Sequence, residues 1–476
     1  MTISLDNAAK QTSRRWIIPM IVALAFFIEQ FDTAALIISV PVIAADLGVE
    51  PLRLSLLVTA YVTSVVLFMP ASGWLSNRFG VRRIFLAALS IYVGGSIGCS
   101  LSSNFEMLIA FRIVQGMGGA MMTPVGRLIM LRSFGRHELI AAMGLMTAPV
   151  LFGPLLGPLI GGLISSHADW RWLFLVNVPV VLCGLLATVM IVPTDIPTSR
   201  TRFDLRGFLL LSPGIVLLQF AIEMLKSPGV WRSMAALPAG LALTLILGYW
   251  LHASKRHTAA LLDIGLLRSQ SFRAGSIVGG LSRMGFNATP FLLPLYLHFV
   301  LGYGPGISGT IVAMAIVGSL AAKPFNGWLV RNLGFRTTLA GSAVLGSLLI
   351  GALALYGSEV PLWLLAIHII TIGATQTIQY NTLNIISYID VTPERLGAAS
   401  SLGGIIQQLS MGMAVSWCAA VLGILGGGSL APWHFRTVFV IAALLPLLAT
   451  FGFLRLSQAR SGPADRSRSE LPHTDD

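Results

Sequence analysis

Five charged side chains stand well inside long apolar runs of this chain: Glu29 and Asp32 in the first run, Arg112 in the fourth, Arg283 in the ninth and Lys323 in the tenth. A charge at the centre of a membrane helix costs roughly 2.5–3.5 kcal/mol, so side chains that carry one there are functional candidates by default. Glu29 and Asp32 are three residues apart, which places both on one helix face, one turn above the other. A buried acid is pulled toward its neutral form by desolvation and toward its charged form by a nearby arginine. Held between those influences it can take a proton on one side of a barrier and release it on the other. The competing interpretation is a set of fixed structural ion pairs, and Arg283 and Lys323 are balanced between the two. Glu223 lies near the end of its run and is expected to reach water.

Neutral polar residues in the same runs are candidate substrate contacts: Gln115, Gln376, Gln379, Tyr380, Asn381, Asn384, Gln407 and Gln408. Consecutive positions cannot share a face, so several must point at neighbouring helices, and taken singly each is more often a packing hydrogen bond. His298 and His368 suit a proton relay, although a satisfied core histidine is the commoner case. Phe26, Phe27, Phe31 and Phe291 suit a greasy drug pocket, although most are expected to face lipid or neighbouring helices. Cys99, Cys183 and Cys418 lie inside apolar runs at no metal-ligand spacing and read as small buried hydrophobes. No lysine follows a glycine, so the Gly-Lys core of a Walker A loop is missing and energy has to come from an ion gradient. No nucleophile–base pair is visible. No metal site, no cofactor and no enzymatic activity are expected.

The elements that position these residues are membrane helices. The chain is 55% apolar and 11% charged, where a soluble domain carries roughly 25% charge. Crossing a hydrocarbon core takes ~20 residues of helix. Fourteen runs qualify, near 16–39, 51–74, 83–101, 105–127, 139–163, 172–192, 207–224, 234–252, 273–300, 307–329, 337–356, 361–386, 398–424 and 435–455. The first fifteen residues are polar and basic, and no cleavable leader is expected there. The net charge of +12 is topological: Arg and Lys crowd alternate loops and both ends, while the opposite loops hold only Arg53, Arg171, Lys226, Arg232 and Arg436. That is the positive-inside pattern, which puts both termini in the cytoplasm, requires an even number of spans and argues against a nucleic-acid role.

The chain also contains itself twice, 254 residues apart. Leu47-Gly48-Val49-Glu50-Pro51 recurs as Leu301-Gly302-Tyr303-Gly304-Pro305; Pro70 meets Pro324, Gly73-Trp74-Leu75 meets Gly327-Trp328-Leu329, Gly80 meets Gly334 and Arg82 meets Arg336. Duplicated membrane halves mark secondary transporters, whose site lies between the halves near the midplane. The first copy joins spans 2 and 3 and the second joins spans 10 and 11, so two extra spans, 207–224 and 234–252, separate two six-helix bundles. The expected organisation is residues 1–197 as the first bundle, 198–271 as linkers and inserted pair, 272–460 as the second bundle, and 461–476 as a cytoplasmic tail.

Five segments together resemble the fourteen-span drug:proton antiporter branch of the major facilitator superfamily. Gly73-Trp74-Leu75-Ser76-Asn77-Arg78-Phe79-Gly80-Val81-Arg82-Arg83 is similar to the signature loop between spans 2 and 3. Arg112-Ile113-Val114-Gln115-Gly116-Met117-Gly118-Gly119 resembles the span-4 motif. Gly153-Pro154-Leu155-Leu156-Gly157-Pro158-Leu159-Ile160-Gly161-Gly162 resembles the span-5 motif of antiporters. Asp32-Thr33 with Pro41 is similar to the span-1 motif, and Trp170-Arg171-Trp172-Leu173-Phe174-Leu175-Val176-Asn177-Val178-Pro179 to a marker of the branch. The signature loop departs from its family at Asn77, where an acid is usual; an amide keeps the hydrogen bonding and loses the charge, which weakens the lock.

The resemblance implies an all-α membrane protein of the major facilitator fold: two six-helix bundles plus two inserted helices. It also implies that Asp32 and Arg112 form a buried pair, that Glu29 is the more mobile acid, and that spans 1 and 9 line a central cavity. The repeat offset maps Glu29 onto Arg283, so the halves carry opposite charges there. Gly153, Gly157 and Gly161 form one stripe against which a helix can slide, with Pro154 and Pro158 able to bend the span. Gly73, Asn77, Arg78, Gly80 and Arg82 are expected to latch the cytoplasmic side. The implied activity is proton-coupled export of drugs or other small molecules across the inner membrane. Three cations against two acids leave organic anions or metal–carboxylate chelates as alternative cargo. A non-transporting membrane sensor is the remaining option, disfavoured by short loops. The expected partners are protons, a small-molecule substrate and lipid; periplasm-spanning proteins occur with this branch, and no residue here demands one.

Overall fold

A computed structural model describes residues 15–134, 136–194, 203–225, 230–255, 262–357, 360–392, 395–426 and 431–456. The expected tail, 461–476, lies outside them. The described residues are helical throughout their regular structure, with no strand. The long helices are α1 (Ile18–Leu47), α2 (Ser55–Phe79), α3 (Val81–Ser100), α4 (Phe105–Ser133), α5 (Arg136–His167), α6 (Asn177–Ile191), α7 (Leu205–Met224) and α8 (Ala236–Lys255). After α9 (Gly279–Phe299), α10 and α11 run together as Pro305–Ala352 and are divided at Gly334, whose φ of 76° is not helical. Then follow α12 (Leu362–Tyr388), α13 (Leu396–Gly426) and α14 (Pro432–Leu454). Fourteen long helices thus stand among the described residues. Eleven stretches have the length and apolarity to cross a bilayer, with Pro305–Leu355 counted as one.

Local chemistry sets the boundaries. Asn104 caps α4, its side chain accepting from Met107 N at 2.8 Å, and Asp204 caps α7 through Gly207 N at 3.1 Å. Among the described residues the backbone enters positive φ only at Gly48, Gly80, Gly302 and Gly334. These are two pairs at the 254-residue offset, so the repeat seen in the sequence is a repeat of left-handed corners that a Cβ disfavours.

In the first bundle α1 lies along α5, and α4 packs on α2 and α3; in the second, α9 packs on α13 and α14, and α12 on the α10–α11 rod. Glycines let backbones approach: α10 meets α12 at Gly318 and Gly373, and Gly346 of α11 receives the ring of Phe286 from α9. The bundles meet along two seams. One joins α2 to α13, at Val62 with Gly412 and Met69 with Gly404; the other joins α5 to α10, at Pro158 and Gly162 with Gly306 and Gly309. The inserted helices α7 and α8 pack on each other, and α7 also touches both α2 and α13: Ser212 Oγ donates to Leu67 O at 3.4 Å, and Gln219 donates to Ser416 Oγ. The linker after α8 docks on the second bundle through Arg395 and Asp263, 2.5 Å apart.

Candidate functional site: a buried charge network and a bundle-crossing acid

Residues 112, 115, 119 and 123 step by three, four and four, so Arg112, Gln115, Gly119 and Thr123 share one face of α4. That face meets the acids of α1. Arg112 is fully buried and its Nη1 donates to Asp32 Oδ2 at 2.5 Å and to Gln115 Oε1 at 2.6 Å, while Nε donates to Leu57 O at 3.3 Å. The guanidinium lies over the ring of Tyr61, 4.7 Å from its centroid. Gln115 Nε2 donates to Asp32 Oδ1 at 3.2 Å and to Ser96 Oγ at 2.8 Å; Asn177 Nδ2 donates to the same Oδ1 at 2.8 Å. Asp32 is therefore held by α4 and α6 within the first bundle, with Ser96 of α3 bracing Gln115. Gly116 and Gly119 permit this approach: a Cβ at Gly116 would lie 2.6 Å from Tyr61 O, and one at Gly119 2.5 Å from the Tyr61 hydroxyl.

Glu29, one turn away and only 4% exposed, has different company. Thr123 Oγ1 donates to its Oε2 at 2.7 Å from α4, and Gln408 Nε2 donates to its Oε1 at 3.1 Å from α13. A turn further along α4, Arg127 Nη1 donates to Ser400 Oγ of α13 at 2.5 Å. Two polar links thus tie the first bundle to the second, and one of them ends on an acid.

In the second bundle Arg283, 5% exposed, donates from Nη2 to Asn384 Oδ1 at 2.8 Å and sits 4.5 Å from the centroid of the Tyr380 ring. Tyr380 donates to Asn287 Oδ1 at 2.8 Å and is hydrogen-bonded by Gln376. Lys323, half-buried, has no hydrogen-bond or ion-pair partner among the described residues. The expected cavity residues therefore divide. Gln408 reaches Glu29, and Gln376, Tyr380 and Asn384 gather with Arg283. Gln115 and Gln379 are fully buried and their amides are used inside one bundle each, Gln379 donating to Ser282 Oγ at 3.0 Å and accepting from Ser342.

The glycine stripe of α5 faces α1 of its own bundle: Cβ atoms at Gly153, Gly157 and Gly161 would lie 2.8 Å from Phe27 O, 2.9 Å from Phe31 O and 2.8 Å from Ala35 O. The neighbouring face, Pro158 and Gly162, meets α10, and Pro154 is half-buried. In the signature loop Asn77 Oδ1 accepts from Arg132 Nη2 at 3.0 Å, Arg82 donates to Thr194 Oγ1 and Val189 O, both at 2.5 Å, and Arg78 lies over Trp74. Gly80 supplies the corner, Gly73 has open space around it, and every one of these contacts is within the first bundle.

Thr123, Arg127, Asn177 and Ser400 escape sequence reasoning. A signal existed for two: Thr123 continues the α4 polar stripe, and Asn177 sits in the segment from Trp170 to Pro179. That segment grips α1 at two acids, through Asn177 on Asp32 and through Trp170 Nε1 and Arg171 Nη1 on Asp46 Oδ2, at 2.8 and 3.5 Å.

Residues 22–415 match the family described as Major Facilitator Superfamily. The chain is 37% identical over 411 residues to "Putative multidrug resistance protein MdtD" of Salmonella heidelberg (strain SL476), covering 85% of this chain and 86% of that protein. The same-named protein of Cronobacter sakazakii (strain ATCC BAA-894) is 36% identical over 442 residues, covering 90% and 93%. Among solved structures, the POT family transporter PepTSo superposes with a TM-score of 0.67 and the human organic anion transporter MFSD10 (TETRAN) with 0.59. Both are 14% identical, cover 92% of this chain and 99% of their own, and speak to the fold alone.

Proposed function

The chain belongs to the Major Facilitator Superfamily and is a multi-pass membrane transporter, and we propose that it is a proton-coupled exporter of small molecules, of the multidrug-efflux kind, working by alternating access in the inner membrane. The observation that carries this reading is Glu29, a buried acid whose two oxygens accept from opposite bundles, Thr123 of α4 and Gln408 of α13. Protonation removes its charge and turns one acceptor oxygen into a donor, so the contact between bundles responds to the proton. Asp32, fixed by Arg112, Gln115 and Asn177, supplies the immobile negative charge beside it. The first bundle (1–197) rocks against the second (272–460) around a site between α1, α4, α9 and α12, with both termini cytoplasmic. The α2–α3 loop and its copy between α10 and α11 latch the cytoplasmic side in one state. Each charge crossing 100 mV releases ~2.3 kcal/mol to drive export.

The test is transport in proteoliposomes under an imposed pH gradient, with a panel of lipophilic cations and carboxylates. Glu29→Gln is expected to abolish gradient-driven movement while leaving substrate exchange at equilibrium. Gradient-driven transport that persists in both Glu29→Gln and Asp32→Asn overturns the coupling assignment.

A further inference from the structure

Among the described residues, the second bundle holds a buried cation with no counter-ion. Arg283 is buried, yet no described carboxylate pairs with it; its side chain donates to the Asn384 amide oxygen and lies over the face of Tyr380. Both spread the charge and neither neutralises it. A buried ionised group normally acquires a partner of opposite sign. Arg283 borders a small cleft shared with Ser276 of the segment leading into α9, Asn384 and Tyr388 of α12, and Gln407 of α13. The Ser276 hydroxyl, in a residue 6% exposed, has no hydrogen-bond partner among the described residues. It sits in a π-helical turn, Ala274–Val278, a distortion that often marks functional positions in helices. Gly275 lets this segment press against α12: a Cβ there would lie 2.9 Å from Leu383 O and closer still to the Ser387 hydroxyl. The side chains of Asn384 and Gln407 are exposed at the mouth.

We propose that this cleft binds the carboxylate of the transported molecule, with Arg283 as its counter-ion, Ser276 as a hydroxyl donor, and Asn384 and Gln407 as amide donors at the rim. Cargo is then an organic anion or a zwitterion. A guanidinium fork recognises the two oxygens of a carboxylate directly. The assignment deepens the exporter reading and takes the direction of movement from it; binding itself is independent of coupling.

The experiment uses two probes of one shape, 1-naphthoate and 1-naphthylmethylammonium, on the full-length protein in nanodiscs. Equilibrium binding is measured first and pH-driven transport in proteoliposomes second. The wild-type protein is expected to bind naphthoate ~10-fold or more tightly than the ammonium. Arg283→Gln is expected to erase that difference, and Arg283→Lys to retain part of it. Ser276→Ala, which removes one oxygen and is expected to leave folding intact, should weaken naphthoate several-fold and leave the ammonium unchanged. Equal binding of both probes by the wild-type protein, or naphthoate binding unchanged in both Arg283→Gln and Ser276→Ala, overturns the proposal. Arg283-dependent naphthoate binding without any pH-driven movement keeps the site and removes the exporter reading instead.

Discussion

Asp32 accepts from three side chains, and one of its donors is a guanidinium with no exposed surface. Removing one charge of such a pair strands the other, a loss of about 3–5 kcal/mol. Asp32→Asn is therefore expected to lower the thermal midpoint of the detergent-solubilised protein markedly, and Asp32→Asn with Arg112→Gln to recover part of that loss. Asn177→Ala keeps the ion pair and removes one bond to it, so a smaller drop, about 1–3 kcal/mol, is expected in the same melt. Charged residues in apolar runs are rare enough that the sequence alone singled out Asp32, Arg112, Glu29 and Arg283. Ser400 carried no signal, and those at Thr123 and Asn177 were faint, because neutral polar residues are common in membrane helices and usually bond to their own backbone. Ser416 does so, donating to Gly412 O at 3.0 Å. Gln115 and Gln379 show the converse: a side chain's type is written in the sequence, and the direction it points is decided by its neighbours.

At the scale of helices, α5 presents two different small-residue faces. Gly157 is pressed on Phe31 and Ala34 of α1, so Gly157→Ala, whose Cβ would lie 2.7 Å from Ala34 Cβ, overpacks the first bundle. A loss of about 1–3 kcal/mol in thermal unfolding is expected. Gly162 faces α10 instead; its Cβ would lie 2.7 Å from Pro305 O. Gly162→Ala is expected to leave the melt nearly unchanged and to part the α5–α10 seam, read as a longer distance between nitroxides at Leu163 and Thr310 by pulsed electron resonance. The four-residue spacing of the stripe was plain in the sequence. Which helix it receives was not, because α1 and α10 both offer small or flat surfaces to it.

On the scale of the whole molecule, the inserted hairpin bridges the parts that the proposed cycle moves. α7 bonds to α2 through Ser212 and to α13 through Gln219, so both contacts cannot persist if those helices separate. A disulfide between Gln219→Cys and Ser416→Cys, in a background lacking Cys99, Cys183 and Cys418, is expected to form readily and halt transport until a reductant restores it. That the pair is inserted could be read from the register of the repeat. Its docking place could not, since the few polar residues of α7, among them Ser212 and Gln219, do not by themselves name a partner.

The left-handed corners at Gly48 and Gly80, matched at Gly302 and Gly334, have an implication for ancestry. A bend shared at one constant spacing is what the doubling of a single six-crossing precursor would leave. Six crossings bring a chain back to the leaflet it started from, so two precursors could already stand side by side, pointing the same way, as separate polypeptides. Fusing them demanded nothing of the joint except parity, and α7 with α8, being two, keeps it.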